Sequence, residues 1–293
     1  MRLKTLVALF KAMRPKQWTK NIFVLAALVF DGKLFVSEFL LKSLVAFGLF
    51  CAISSAVYLI NDLSDIERDR QHPMKRNRPL PSGQLAPGLA LTVAVLLVAT
   101  SMPIAYWLEP LFAAIAGTYL ITMILYSFWL KNIVIIDVLT VAAGFVLRVA
   151  AGVVIVRTAR FSPWLYLCMV LLALFIAISK RRHELVLLNE NANEHRSIFN
   201  EYSLPLLDDM IRMVTACTAM AYSLYTFSAA GLPPNHAMML TIPFVLYGLF
   251  RYMYLVHIKG EGGEPEDLLL KDRPLLLAVV LWGLAVIIIL YIH

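Results

Sequence analysis

The sequence predicts an all-α, polytopic membrane protein: a bundle of nine transmembrane helices. Three observations carry that prediction. Of 293 residues, 60% are hydrophobic and 15% charged, whereas soluble domains sit near 45–50% apolar and about 25% charged. The apolar residues gather into uncharged runs of about 18 or more, the length that crosses a bilayer core. Lysine and arginine, finally, concentrate in alternate connections between those runs.

Taken in order between charged or Pro/Gly punctuation, the spans fall at about 21–38, 43–63, 88–107, 111–130, 134–156, 163–182, 206–230, 236–257 and 273–292. Three connections, 64–87, 183–205 and 258–272, are long enough to hold chemistry, and the others are short turns. Residues 1–293 read as one transmembrane domain. Lys11 and Arg14 to Lys20 break the apolar stretch at the start, so it lacks the core of a cleaved signal and the first span stays attached. Cys51, Cys168 and Cys217 lie singly in apolar runs, a pattern of packing rather than of disulfides or a zinc site.

One side of the membrane receives Arg2, Lys4, Lys11, Arg14, Lys16 and Lys20 from the N-terminal segment and Arg68, Arg70, Lys75, Arg76 and Arg78 from the first long loop. Lys131, Arg181, Arg182, Arg196, Lys259 and Lys271 fall on the same side, against Lys33, Lys42, Arg157 and Arg160 on the other. Cytoplasmic loops carry the Lys/Arg excess, so the N-terminus and the three long loops belong in the cytosol and the C-terminus outside the cell membrane. The net charge of +7 is then topology and contact with anionic headgroups, with no claim on nucleic acid.

The strongest chemical signal is the run from Asn61 to Asp69 at the cytosolic end of the second span. At 100° per residue, Asp62, Asp65 and Asp69 lie within about 60° of one another, on one helix face. Three carboxylates at that spacing repel, and a hard divalent cation relieves them: Mg2+ takes a few carboxylate oxygens and completes its shell with water and phosphate oxygens. The loop then turns basic, from His72 to Gly83, with Pro73, Pro79 and Pro81 stiffening it so that Lys75 and Arg78 are presented. Metal-holding carboxylates beside phosphate-holding cations are the two halves of a diphosphate site. Arg76 fits contact with anionic lipid equally well.

In the fifth span, Asp137 and Arg148 lie eleven residues apart, within about 20° of each other and about 16 Å apart along the helix. Ionisable groups at that depth are expensive and usually face an internal cavity, so both are candidates for ligand contact. A structural ion pair with a neighbouring span is the competing reading.

Asn61 to Gly83 resembles the first aspartate-rich motif of the UbiA-type intramembrane prenyltransferase superfamily, whose members have nine transmembrane helices around a central cavity. Arg14 to Asn21, the His72–Lys75 step and Tyr126 to Lys131 are similar to the decaprenyl-phosphate phosphoribosyltransferases within it. The resemblance covers nearly the whole chain. It implies substrate contacts for Asn61 and Tyr126, and phosphate contacts for Lys20 and Lys131, which by position alone could simply snorkel to the interface. Where aromatic prenyltransferases usually carry a second aspartate-rich motif, after the sixth span, this chain has Lys180, Arg181, Arg182, His183 and Glu184. That replacement fits a phosphate clamp, with Glu184 aiming a cation or reaching a sugar hydroxyl. A stop-transfer cluster would explain the same cations.

What the resemblance implies is a Mg2+-dependent transfer of phosphoribose from 5-phosphoribosyl 1-diphosphate to a polyprenyl phosphate, typically decaprenyl, in arabinan precursor synthesis for a cell envelope. Asp62, Asp65 and Asp69 would hold the metal, and Lys75 and Arg78 the outer diphosphate oxygens. An already anionic acceptor needs positioning more than a general base, in keeping with six histidines that form no nucleophile–base set. An aromatic prenyltransferase sharing the first motif, and a non-enzymatic lipid transporter, remain the rival expectations. A homo-oligomer is compatible with the sequence and unspecified by it.

Overall fold

The computed structural model describes residues 3–71, 75–158, 162–189, 201–261 and 265–292. His72, Pro73 and Met74 of the basic loop lie outside the described residues, as do Arg2, Arg160 and Arg196. In chain order the helices are α1 (Leu3–Ala12), a 3-10 helix (Pro15–Leu25), α2 (Ala26–Phe30), α3 (Ser37–Ser64), α4 (Ile66–Gln71), α5 (Pro87–Leu108) and α6 (Pro110–Phe128). After these come α7 (Ile136–Val156), α8 (Pro163–Asn189), α9 (Leu204–Ser228), α10 (Ile242–His257), α11 (Pro265–Lys271) and α12 (Arg273–Ile292), with short 3-10 turns at Lys75–Asn77, Leu130–Asn132 and Ala237–Thr241. Among the described residues there is no strand.

Seven described segments are long and apolar enough to cross a membrane: α3, α5, α6, α7, Pro163–Leu187 of α8, Ala237–His257 and α12. Two expected spans are not among them. The 21–38 run is divided between the 3-10 helix and α2, and the chain turns at Gly32, whose φ of 69° belongs to the left-handed region that glycine enters without strain. α9 is long enough at 25 residues, but Asp208, Asp209 and Arg212 occupy its first turns. The long connections also carry more helix than their composition suggests. α8 continues to Asn189, so Lys180 to Glu184 stand on a helix, and the 64–87 and 258–272 loops contain α4 and α11.

Where the sequence reads as one domain, the chain clusters into two compact units. The first comprises Met1–Leu28, Lys33–Lys131 and Leu147–Arg157; the second comprises Val29–Gly32, Asn132–Val146 and Thr158–His293. α3 is the spine of the first. Ala46, Phe50, Ile53 and Val57 on its inner face pack with Phe112, Ala116 and Tyr119 of α6, and the Phe50 and Tyr119 rings lie 5.4 Å apart. The end of α7 meets the 3-10 helix backbone to backbone: a Cβ on Gly152 would come 2.0 Å from the Val24 carbonyl oxygen. In the second unit, Phe175 and Ile178 of α8 pack with Leu207, Ile211 and Val214 of α9 and with Tyr252 and Leu255 of α10. Leu91, Val95 and Leu96 on α5, and Leu277, Val280 and Leu284 on α12, are exposed. Apolar faces on that scale suit lipid, and the protein is a multi-pass membrane protein.

Asp272 caps α12, accepting the Leu275 N–H at 2.8 Å, and pairs with both Nε and Nη2 of Arg251 at 3.1 and 2.8 Å. The Arg251 hydrogen bonds hold the Asp272 carboxyl below its ordinary value. Loss of the cap in Asp272→Ala should cost about 1–2 kcal/mol, read as a lower thermal midpoint in detergent. Because the folded-state value is depressed, the carboxylate's contribution is complete above the ordinary aspartate range near about 4 and is lost as pH falls through the lowered value. The difference between wild type and variant should therefore shrink in acid.

Candidate functional site

In the first unit the helical period delivers the three carboxylates to one face. Asp62, Asp65 and Asp69 are all buried, at 1%, 5% and 4% exposure. α3 ends where Ser64 Oγ donates to the Asn61 carbonyl, and the chain re-enters helix with Asp69 N–H donating to the Asp65 carbonyl at 2.8 Å. The break between α3 and α4 therefore keeps the carboxylates close to helical phase.

Each carboxylate carries a cation. Arg14 is paired with Asp62. Arg78 Nη1 reaches Asp69 at 2.7 Å and Asp62 at 3.3 Å, bridging the two. Lys131 Nζ, buried, donates to both oxygens of Asp65 at 2.7 and 2.9 Å. These three cations interleave with the three carboxylates, the exposed Arg68 lies 4.0 Å from Asp65, and pairing is what makes the burial tolerable.

Different elements supply the three cations. Arg78 follows the Lys75–Asn77 turn in a loop anchored by Leu80 and Leu85, both buried against Ala56 and Leu59 of α3. Lys131 leaves the 3-10 turn just beyond α6. Arg14 sits between α1 and the 3-10 helix with φ 54°, a left-handed conformation that costs an arginine about 1–2 kcal/mol, and its guanidinium lies 5.0 Å over the Tyr58 ring.

Carboxylate oxygens are the donors a hard divalent ion takes, so by chemistry Asp62, Asp65 and Asp69 fit Mg2+. Among the described residues no group of three His, Cys, Asp or Glu side chains stands ready for a metal. Arg14, Arg78 and Lys131 sit on carboxylate oxygens that a metal at the trio would have to share or displace.

Deeper in the same unit is a second polar group. Arg148, 5% exposed on α7, donates from Nε to Asn21 Oδ1 at 2.8 Å and from Nη2 to the Tyr119 hydroxyl at 2.8 Å. Asn21, fully buried, donates its amide N–H groups to Ser54 Oγ at 3.1 Å and Cys51 Sγ at 3.3 Å of α3.

The second unit has its own network. Asp137, fully buried, pairs with Arg181 at 2.6 Å and accepts the Tyr202 hydroxyl at 2.7 Å. That hydroxyl accepts the Ile135 N–H at 2.8 Å, and Ile135, a β-branched residue, sits at φ 68°. Burial and the bond to Asp137 push the Tyr202 phenol up. Arg181 is also paired with Glu184, and Arg182 with Asp208, which His257 Nε2 approaches at 3.2 Å.

Of the residues expected from sequence, Asp62, Asp65, Asp69, Arg78 and Lys131 come together in the first unit, and Asp137, Arg181 and Glu184 in the second. Asp137 and Arg148 share a helix but belong to different networks and different units. Lys20, Asn61, Lys75, Tyr126 and Lys180 are half-buried on the 3-10 helix, α3, the 75–77 turn, α6 and α8. Sequence reasoning did not assign Arg14, Asn21, Tyr119, Tyr202, Asp208 or His257 to a site. For Arg14 and Asn21 a signal existed, since both bound the Arg-Pro-Lys-Gln-Trp-Thr-Lys-Asn motif.

The UbiA prenyltransferase family matches residues 21–266. The chain is 35% identical over 276 residues to a decaprenyl-phosphate phosphoribosyltransferase of Mycobacterium tuberculosis, covering 93% of this chain and 90% of that one. It is 34% identical over 291 residues to the protein of that name in Mycolicibacterium smegmatis, covering 95% and 91%. A UbiA homolog from Archaeoglobus fulgidus, solved bound to DMAPP and Mg2+, superposes with a TM-score of 0.71 at 18% identity over 95% of this chain and 98% of that one, a likeness of fold.

Lys131→Met would leave Asp65 buried beside the exposed Arg68 at 4.0 Å. It should lower stability by about 3–5 kcal/mol, and adding Asp65→Asn should restore most of that. Thermal unfolding of the single and double variants checks this.

Proposed function

The chain belongs to the UbiA prenyltransferase family, and we propose that it transfers phosphoribose from 5-phosphoribosyl 1-diphosphate to polyprenyl phosphate, typically decaprenyl, releasing diphosphate. The observation that carries this reading is the lattice of buried Asp62, Asp65 and Asp69 with Arg14, Arg78 and Lys131, in a chain similar over most of its length to decaprenyl-phosphate phosphoribosyltransferases.

Mg2+ held by Asp62, Asp65 and Asp69 would neutralise the leaving diphosphate. Donor binding lets Arg14, Arg78 and Lys131 exchange carboxylate partners for phosphate oxygens, so that buried charges stay compensated in both states. Lys75, half-buried and three residues before Arg78 in the chain, would meet the outer oxygens of the same diphosphate. The acceptor arrives as an anion, and the chain's task is to bring its oxygen in line with the anomeric carbon as the bond to diphosphate breaks.

The lattice would lie at the cytosolic face of the plasma membrane, with nine crossings and the C-terminus outside, a topology that the Lys/Arg asymmetry supports.

Purified protein given phosphoribosyl diphosphate, polyprenyl phosphate and Mg2+ should form a lipid-linked phosphoribose. Asp62→Asn, Asp65→Asn and Asp69→Asn should each lower turnover about a hundredfold or more. Full turnover in any two of them sinks the assignment. Transfer of a prenyl group from its diphosphate to an aromatic acceptor would establish the rival chemistry.

A further inference from the structure

We infer that Asn21 is a positioning residue for the lipid acceptor: it orients Arg148 so that the guanidinium receives the phosphate of the polyprenyl phosphate within the membrane. The inference rests on the acceptor assigned above.

Asn21 is locked from both ends of its amide. Its nitrogen faces the Ser54 hydroxyl and the Cys51 sulfur, so its oxygen faces Arg148 Nε, and a flipped amide would set N–H against N–H. Ser54 Oγ is itself committed to the Cys51 carbonyl. The element beneath Asn21 is fixed as well, by Trp18 Nε1 donating to Ser55 Oγ at 3.0 Å and by the Val24–Gly152 backbone approach. Tyr119 holds a second nitrogen of the guanidinium, and its ring is packed against Phe50. Asn21 and Tyr119 are neutral, so these bonds aim the guanidinium without cancelling its charge.

An arginine aimed this way within a span suits an anion carried on a lipid. The cation is expensive at that depth and its planar fork matches phosphate oxygens. Its level also fits. Ser54, which anchors Asn21, precedes Asp62 by eight residues on α3, about 12 Å along the helix axis. Diphosphate at the carboxylates, the sugar and an incoming phosphate succeed one another in an in-line transfer, and an offset of that size along α3 would let Arg148 meet the last of them.

Asn21→Asp separates this role from a structural one. The substitution is isosteric and gives Arg148 a carboxylate, so the fold is retained by an ion pair while the charge offered to a ligand is cancelled. The expected result is a KM for polyprenyl phosphate raised about tenfold to a hundredfold, the scale of one charge-assisted contact, with the KM for phosphoribosyl diphosphate nearly unchanged. Tyr119→Phe, which keeps the ring and removes one holding bond, should raise the acceptor KM in the same direction by less.

A binding measurement needs no transfer reaction: polyprenyl phosphate and the matching polyprenol are titrated onto protein in nanodiscs. Wild type should prefer the phosphate, and Asn21→Asp should lose that preference. Equal phosphate binding by the folded variant and wild type overturns the inference. A preference that Asn21→Asp abolishes, in a protein that forms no lipid-linked phosphoribose, upholds the phosphate subsite and overturns the donor assigned above.

Discussion

Charges that leave water for the interior of a membrane protein must be compensated, and the described architecture follows from that constraint. An unpaired buried carboxylate costs several kcal/mol, more than any single packing contact returns. Asp62, Asp65 and Asp69 can therefore be buried at the end of α3 only because three other parts of the chain arrive there with cations. Arg14 comes from the break after α1, Arg78 from a loop pinned by Leu80 and Leu85, and Lys131 from the turn after α6. The second unit obeys the same rule, with Arg181 between Asp137 and Glu184 and Arg182 on Asp208.

Helical periodicity made part of this legible in advance. Asp62, Asp65 and Asp69 recur at helical spacing, and their common burial is what that spacing implies. The prolines flanking Arg78 marked a loop that presents its side chain, and Arg78 does reach the trio. The partner of Lys131 was not legible, because no period links positions 65 and 131; their meeting depends on how α6 packs along α3. Lys180 to Glu184 illustrates the reverse error. The sixth span was expected to end at 182 with a loop from 183, yet no Gly or Pro interrupts the run, and an i,i+3 pair between Arg181 and Glu184 favours continuing α8.

The first expected span shows where hydropathy stops being informative. Residues 21–38 are apolar enough to read as one helix, but hydropathy cannot distinguish a 3-10 helix from an α-helix. Extended 3-10 runs are uncommon and often mark functional or strained segments. Here the tight helix carries Asn21, and Arg14 immediately precedes it in a left-handed conformation. A regular α-helix through both would separate them by a different angle and a shorter rise than the 3-10 helix does. The irregular geometry is thus coupled to the charges it serves.

Two modes of holding a cation coexist in the first unit, and their difference bears on chemistry. Arg14, Arg78 and Lys131 rest on carboxylates, so a phosphate that recruits them must compete with a charge of its own sign, and the exchange is favoured only when something else takes over the carboxylate. A carboxylate-binding cation delivered with the donor meets that condition. Arg148 is oriented by the Asn21 amide and the Tyr119 hydroxyl, which present no competing charge. On the proposed reading the carboxylate lattice would change partners when a donor arrives, whereas Asn21 and Tyr119 set Arg148 in advance. Preorganisation of that kind reduces what an incoming phosphate must reorder on binding, and it suits the half of the reaction whose main requirement is alignment.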